Sequence, residues 1–208
     1  MYAIRGRYLA ICSAVLFFPA LALAQQTLVR TQAFASGQSV RFEANVGDIH
    51  IVPNSDDRQL RLVIVPKHGI SLQTMQSWVR QFQVNGNVAE IRLHLPIHGN
   101  EVRDVTLYVP SVTALDLDIG VGDVSVNGVG GDKDVTMHVG DLKIGGLNRA
   151  DYGIVKLDTG IGDVEDSLFP AQQSGWLGKS GKFVGSGKYH IRVHVGIGDI
   201  RVAGGVGR

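Results

Sequence analysis

The sequence predicts an all-β protein. We expect a β-solenoid or β-helix-like stack of Gly-Asp cornered rungs, with an N-terminal β-rich layer carrying one short helix. Three observations point there. One phrase (aliphatic, Gly, Asp, aliphatic) is written five times: Val46-Gly47-Asp48-Ile49, Val121-Gly122-Asp123-Val124, Val139-Gly140-Asp141-Leu142, Ile161-Gly162-Asp163-Val164 and Ile197-Gly198-Asp199-Ile200. Apolar and polar residues alternate before each copy. Glycine, 27 residues in all, gathers at these phrases and follows no collagen-like period. A repeat of this kind signals an architecture before it signals a chemistry.

The strands come first. Five residues before each glycine stand Phe42, Leu117, Val135, Leu157 and Val193. Three before are Ala44, Ile119, Met137, Thr159 and Val195, and one before are Val46, Val121, Val139, Ile161 and Ile197. Polar residues such as Glu43, Asp118, Thr136, Asp158 and His194 alternate with them. A period of two marks a half-buried strand, so all three columns are expected to point inward.

The corners follow from a change of parity. Ile49, Val124, Leu142, Val164 and Ile200 lie three residues after the preceding apolar position, not two. A straight strand would turn them to the opposite face. Their aliphatic character says they face inward, so the chain is expected to bend at Gly-Asp. Glycine permits the unusual dihedrals, and aspartate bonds its own nearby backbone. The structural corners are thus Gly47, Asp48, Gly122, Asp123, Gly140, Asp141, Gly162, Asp163, Gly198 and Asp199.

The glycine spacings set the expected order of rungs. They run 18 residues from Gly122 to Gly140, 22 to Gly162 and 36 to Gly198. The last interval reads as two rungs, with Gly181-Lys182-Phe183 a degenerate copy. Gly47 lies 75 residues before Gly122 and stands apart.

The segment between them differs in texture. Leu60 to Val65 and Val102 to Val109 read as strands, the second ended by Pro110. Leu72 to Gln81 reads as a helix with Ser71 as N-cap. Phe82 to Leu95 reads as a hairpin around Asn85-Gly86-Asn87. A soft boundary near 110–115 divides a β-rich part, 25–110, from the rungs, 111–203. Residues 204–208 read as a flexible tail, and 25–203 as one continuous domain.

The N-terminus reads as a secretory signal peptide over 1–24. Arg5 and Arg7 precede an apolar run from Leu9 to Leu23, and Ala22-Leu23-Ala24 offers cleavage between Ala24 and Gln25. The run is short for a membrane span and contains Pro19. Cys12, the one cysteine, falls within it, so the processed chain has no thiol. Without Arg5 and Arg7, 18 basic residues face 19 acidic ones. That balance gives no electrostatic footprint for nucleic acid, and no further apolar stretch is long enough to span a bilayer.

The phrases also carry a family resemblance. Val105-Thr106-Leu107-Tyr108-Val109-Pro110 is a strand ending in Val-Pro. Leu115-Asp116-Leu117-Asp118-Ile119-Gly120-Val121-Gly122-Asp123-Val124 leads from it to the next rung at Gly140-Asp141. Together these resemble the bacterial putative-adhesin family of exported β-solenoid domains, related to toastrack domains. The likeness runs from about Phe42 to Val202 and departs from the pattern between Phe169 and Lys188. The resemblance implies a non-enzymatic domain at the cell envelope or outside it, and it carries over no binding residues.

Catalytic chemistry is weakly signalled. Stacked aspartates at 123, 141 and 163 would lie about 4.8 Å apart and suggest a cation such as calcium. The nine-residue pattern of calcium-binding solenoids is absent, so corner closure is the preferred reading. Gly178-Lys179-Ser180 resembles the end of a phosphate loop, but position 173 is Gln173 and no helix pattern follows. Trp176 and Phe183 read as core residues. His190 and His194 share a strand face with Arg192, too far apart for one metal, and read as solvated. Asp116 and Asp118 are the kind of carboxylates that a β-helical polysaccharide enzyme uses, although acids on a strand's polar face mostly serve solubility.

The expectation is an exported protein, periplasmic, on the cell surface or secreted, with no catalytic residue, cofactor or metal. It would act as an adhesive or structural module on a surface glycan or protein. The alternatives are a periplasmic scaffold or sensory component and a carbohydrate-active β-helical enzyme.

Overall fold

A computed structural model describes residues 26–67, 70–96, 102–169, 172–175 and 178–204. The expected signal peptide 1–24 with Cys12, the expected cleavage site at Ala24 and Gln25, and His98, Trp176 and residues 205–208 lie outside the described residues.

The chain enters at β1 (Leu28–Ala33). β2 (Ser39–Val46) and β3 (Ile49–Pro53) then flank the first Gly-Asp. Next come β4 (Gln59–Pro66), α1 (Leu72–Trp78), β5 (Val79–Asn85), β6 (Val88–Leu93) and β7 (Val102–Val109). β8 (Ala114–Val121) and β9 (Val124–Asn127) flank the second phrase, and β10 (Lys133–Val139) and β11 (Leu142–Leu147) the third. β12 (Tyr152–Ile161) and β13 (Val164–Asp166) flank the fourth. β14 (Gln172–Ser174) and β15 (Ser180–Val184) intervene before β16 (Tyr189–Ile197) and β17 (Ile200–Gly204) flank the fifth.

These strands make two sheets, and neither closes on itself. Sheet A runs β1-β4-β7-β3-β9-β11-β17-β13, and sheet B runs β14-β15-β12-β16-β10-β8-β2-β6-β5. Each Gly-Asp phrase carries the chain from sheet B to sheet A. The strands on either side of the phrases pair in parallel, as in β2–β8, β8–β10, β10–β16 and β16–β12. Hydrogen bonding continues through the corners: Gly47 N donates to Val121 O at 2.9 Å, Gly122 N to Val139 O at 3.0 Å and Gly140 N to Ile197 O at 2.9 Å.

Between the sheets lies one hydrophobic cluster. Phe42, Leu117, Val135, Val193 and Leu157 form a buried row across five adjacent strands of sheet B. Ile49, Val124, Leu142, Ile200 and Val164 form the matching row in sheet A. A fully buried aliphatic side chain contributes roughly 1.5–3 kcal/mol, so these rows carry much of the stability of a chain without disulfides.

The order of the phrases differs from the order expected. The fifth copy lies between the third and the fourth, because β16 and β17 insert between β10/β11 and β12/β13. Among the described residues the 36-residue interval therefore holds no skipped rung. Gly181-Lys182-Phe183 belongs to β15, which pairs antiparallel with β12 and covers its outer edge. Nor does the first copy stand apart: β2 pairs directly with β8 and β3 with β9. The 75 residues after it return to extend both sheets, β6 beside β2 and β7 beside β3. Both sheets thus contain strands from either side of 110–115.

Local details follow from the sequence. Ser71 caps α1, its side chain accepting from Thr74 N at 3.2 Å. The helix ends at Trp78, three residues short of Gln81, where pairing with β6 draws Val79 onward into β5. Asn85 pairs with Val88 across Gly86-Asn87, and Gly86 adopts φ +58°. Gly204, expected in the tail, pairs with Leu147 as the last residue of β17.

Candidate functional site

The corner residues form two ladders. All five glycines have positive φ, from 127° at Gly47 to 141° at Gly162. A Cβ on Gly140 would run into the carbonyl oxygen of Gly122, and one on Gly198 into that of Gly140. Glycine is thus required both for its dihedral and for the close approach of successive backbones.

The aspartates do not close their own corners. Asp123 N donates to Asp48 Oδ1 at 3.2 Å, Asp141 N to Asp123 Oδ1 at 3.0 Å, Asp199 N to Asp141 Oδ1 at 3.0 Å and Asp163 N to Asp199 Oδ1 at 2.9 Å. Each of the first four carboxylates holds the next corner, in the order 48, 123, 141, 199, 163. The expected neighbours 141 and 163 are therefore separated by 199. Asp163, at the end of the row, pairs with Lys179 Nζ at 2.5 Å. Arg201 lies 3.2 Å from Asp199, 3.7 Å from Asp141 and 2.9 Å from Glu165. Backbone donors and cations thus offset the like charges along this row. Among the described residues no group of three or more His, Cys, Asp or Glu is placed to hold a metal ion. Lys179, read in sequence within the phosphate-loop-like Gly178-Lys179-Ser180, is this ladder's terminal cation, and Ser180 begins β15.

The residue before each glycine corrects the parity reading. Val121, Val139, Ile197 and Ile161 are 51%, 40%, 50% and 56% exposed, and Val46 is half-buried. The inward run ends one step earlier, at Ala44, Ile119, Met137, Val195 and Thr159, and resumes after the Asp. The corner therefore spans four residues, with the aliphatic one at its apex. In register these apices form an exposed aliphatic ridge, Val46–Val121–Val139–Ile197–Ile161.

Away from the core, sheet B presents a charged face. One cross-strand row reads Glu90, Arg41, Asp116, Asp134, Arg192 and Lys156. The next reads Arg92, Glu43, Asp118, Thr136, His194 and Asp158. Arg41 meets Asp116 at 2.9 Å, and Arg92 grips Glu43 at 2.6 and 3.0 Å. That grip holds the Glu43 carboxyl below its usual range. His190 is no free surface histidine: Nδ1 lies 3.0 Å from Asp132 and Nε2 2.9 Å from Asp134. His194 Nδ1 lies 2.9 Å from Asp158.

An open hollow of about 420 Å³ indents this face. Glu43, Arg92 and Asp118 line it together with Arg80, His94 and His138. Its depth comes from Gly120, which stands where neighbouring strands carry Asn45 and His138. Asn45 is a fixed wall, bonded both ways to the Leu95 backbone at 2.7 and 2.8 Å. Arg80 reaches the hollow from a register shift in β5 between Val79 and Gln81, and such bulges re-aim side chains. Among the described residues, Arg80 and Asp118 have neither an ion pair nor a side-chain hydrogen bond.

One buried group has no counterpart in the expectations. Lys133 is fully buried in β10, in register with Leu115 and Ile191. Its Nζ donates to Gly131 O at 2.9 Å and meets Tyr152 Oη at 3.0 Å. Loss of hydration pulls its pKa down to about 7. The alternation Lys133, Val135, Met137 marks it as inward-facing. Phe183 is half-buried against Phe169, with ring centroids 5.1 Å apart.

No protein-family profile matches the chain, and no curated protein matches it either. Among solved structures, the chain is similar to a putative cell adhesion protein from Clostridium sporogenes. The TM-score is 0.48 at 14% identity, over 86% of this chain and 99% of that one. It is also similar to a putative adhesin from Bacteroides fragilis, with TM-score 0.37 at 11% identity, over 86% of this chain and 98% of that one. Likeness at this level assigns neither fold nor activity.

Proposed function

We propose that the protein is an exported, non-enzymatic module of the cell envelope, periplasmic, surface-bound or secreted. Its β-solenoid-like stack of Gly-Asp rungs would bind a surface glycan or protein through the outer face of sheet B. The observation that carries this reading is that face: parallel strands in register, two rows of charged side chains, and one hollow with an unpaired cation and an unpaired carboxylate. Hollows of a few hundred Å³ with a few convergent polar groups are the usual form of a small-ligand site. Of the carboxylates that line the hollow, Glu43 is held ionised by Arg92 and is not set up as a proton donor, which leaves Asp118 for the turnover measurement below.

The aliphatic ridge favours a second reading, a scaffold that docks an envelope protein, since exposed apolar rows mark contact surfaces. One experiment separates binding from catalysis. Purified protein is applied to arrays of glycans and matrix proteins, with turnover of a polysaccharide panel measured in parallel. Binding without turnover is expected. Turnover that Asp118→Asn abolishes would instead make the protein an enzyme.

A further inference from the structure

We propose that the hollow on sheet B is a site for a carboxylated saccharide, such as a hexuronate or a sialic acid residue. This rests on the reading of the protein as a binding module. Four observations converge on that ligand class.

The first is the free guanidinium of Arg80, exposed and without a partner among the described residues. A guanidinium matches a carboxylate with two parallel hydrogen bonds, which gives both affinity and orientation. The second is the free carboxylate of Asp118 in the same hollow. It accepts hydrogen bonds from hydroxyls and repels polyanions. Nucleic acids and polyphosphates are therefore poor occupants, and a sugar with one carboxylate among several hydroxyls is a good one. The third is preorganisation. Arg92 is locked on Glu43 and Asn45 on Leu95, so the walls are set before a ligand arrives. The fourth is the floor. Gly120 removes a side chain that would fill the hollow, and a Cβ there would strike the Asn45 carbonyl oxygen. Among the described residues the rings that line the hollow are the imidazoles of His94 and His138, which add hydrogen-bonding nitrogens for sugar hydroxyls.

The test titrates the purified protein with a single-residue galacturonate glycoside and a monosialyl oligosaccharide, each against its methyl ester, by calorimetry. At least one acid is expected to bind at least tenfold tighter than its ester. Arg80→Ala should remove that preference, Arg80→Lys should restore part of it, and Asp118→Asn should weaken binding severalfold. Both positions are exposed, so the variants should keep the wild-type melting temperature. Inorganic sulfate at equal concentration should not compete. Competition by sulfate would mean a simple anion site and overturn the saccharide assignment. Failure of both acids to bind, or binding indifferent to Arg80, would also overturn it. Binding of neutral glycans or proteins that Arg80→Ala leaves unchanged would sink this site while leaving the binding-module reading intact.

Discussion

The row of Gly-Asp corners and the far flank of sheet B obey different rules. At the corners, backbone dictates residue: the glycines all hold positive φ, and four of the five aspartates accept from the next rung's N–H. Around β5 and β6 the strands turn antiparallel, a bulge intervenes, and the side chains left over form the hollow. Repetition supplies a regular platform, and the irregular flank supplies the side chains without partners among the described residues. The contrast can be broken at several points.

The largest effect is expected at Gly140. Gly140→Val places a Cβ against the Gly122 carbonyl at φ 134°, and we expect a loss above about 4 kcal/mol, or no folded protein, in urea denaturation. Gly86→Ala, in the flank hairpin with open space around it, should cost only about 1 kcal/mol. Equal costs would remove the distinction between the two regions.

Lys133 comes next. Its folded pKa is about 7, against 10.5 for the ordinary side chain. Below about pH 7 it is charged in both folded and unfolded chains, and burial costs the fold its full penalty. Between about 7 and 10.5 the unfolded chain holds more of the proton, so stability rises with pH. Lys133→Met should stabilise the protein by on the order of 3 kcal/mol at pH 6, with the gain shrinking toward pH 10.5. A difference between wild type and variant that does not vary over that range would contradict this account.

Smaller effects test the ladder. Asp141→Ala leaves the Asp199 N–H without its acceptor and should cost about 1–2 kcal/mol, while Asp141→Asn, which keeps an oxygen there, should cost less than half as much. Asp163→Ala, at the exposed end, should cost under about 1 kcal/mol. The smallest change is expected on the ridge. Val139→Ser should alter stability by no more than about 0.5 kcal/mol, whereas Val135→Ser, two strand steps inward, should cost 2 kcal/mol or more, by roughly the values for exposed and core sites.

Much of the stack was legible in the sequence. Period-two alternation located the buried Phe42, Leu117, Val135, Leu157 and Val193, and the bounds Val102–Val109 match the observed strand. Parity alone could not show that Val121 and Ile161 sit outside, because an aliphatic residue at an apex reads like one in the core. Linear spacing could not give the rung order, since the interval between Gly162 and Gly198 holds an antiparallel excursion. The hollow was less visible still. It joins residues from β2, β5, β6, β8 and β10, and only register shows that Gly120 stands beside Asn45 and His138. Sequence did expose Asp118 as an outward acid, but not that it lacks a partner where Asp116 has Arg41.

The central claim is the order of the corners, with the fifth phrase inserted between the third and the fourth. Paired cysteines test it directly, because the chain from residue 25 onward has no cysteine of its own. Val139 is in register with Ile197, and Ile197 with Ile161, whereas Val139 and Ile161 are two strands apart, about 9–10 Å. A disulfide needs Cα atoms within roughly 7 Å. Oxidation should crosslink Val139→Cys with Ile197→Cys, and Ile197→Cys with Ile161→Cys, but not Val139→Cys with Ile161→Cys. A crosslink in the third pair and none in the first two would place the fourth phrase directly beside the third and contradict the structure described here.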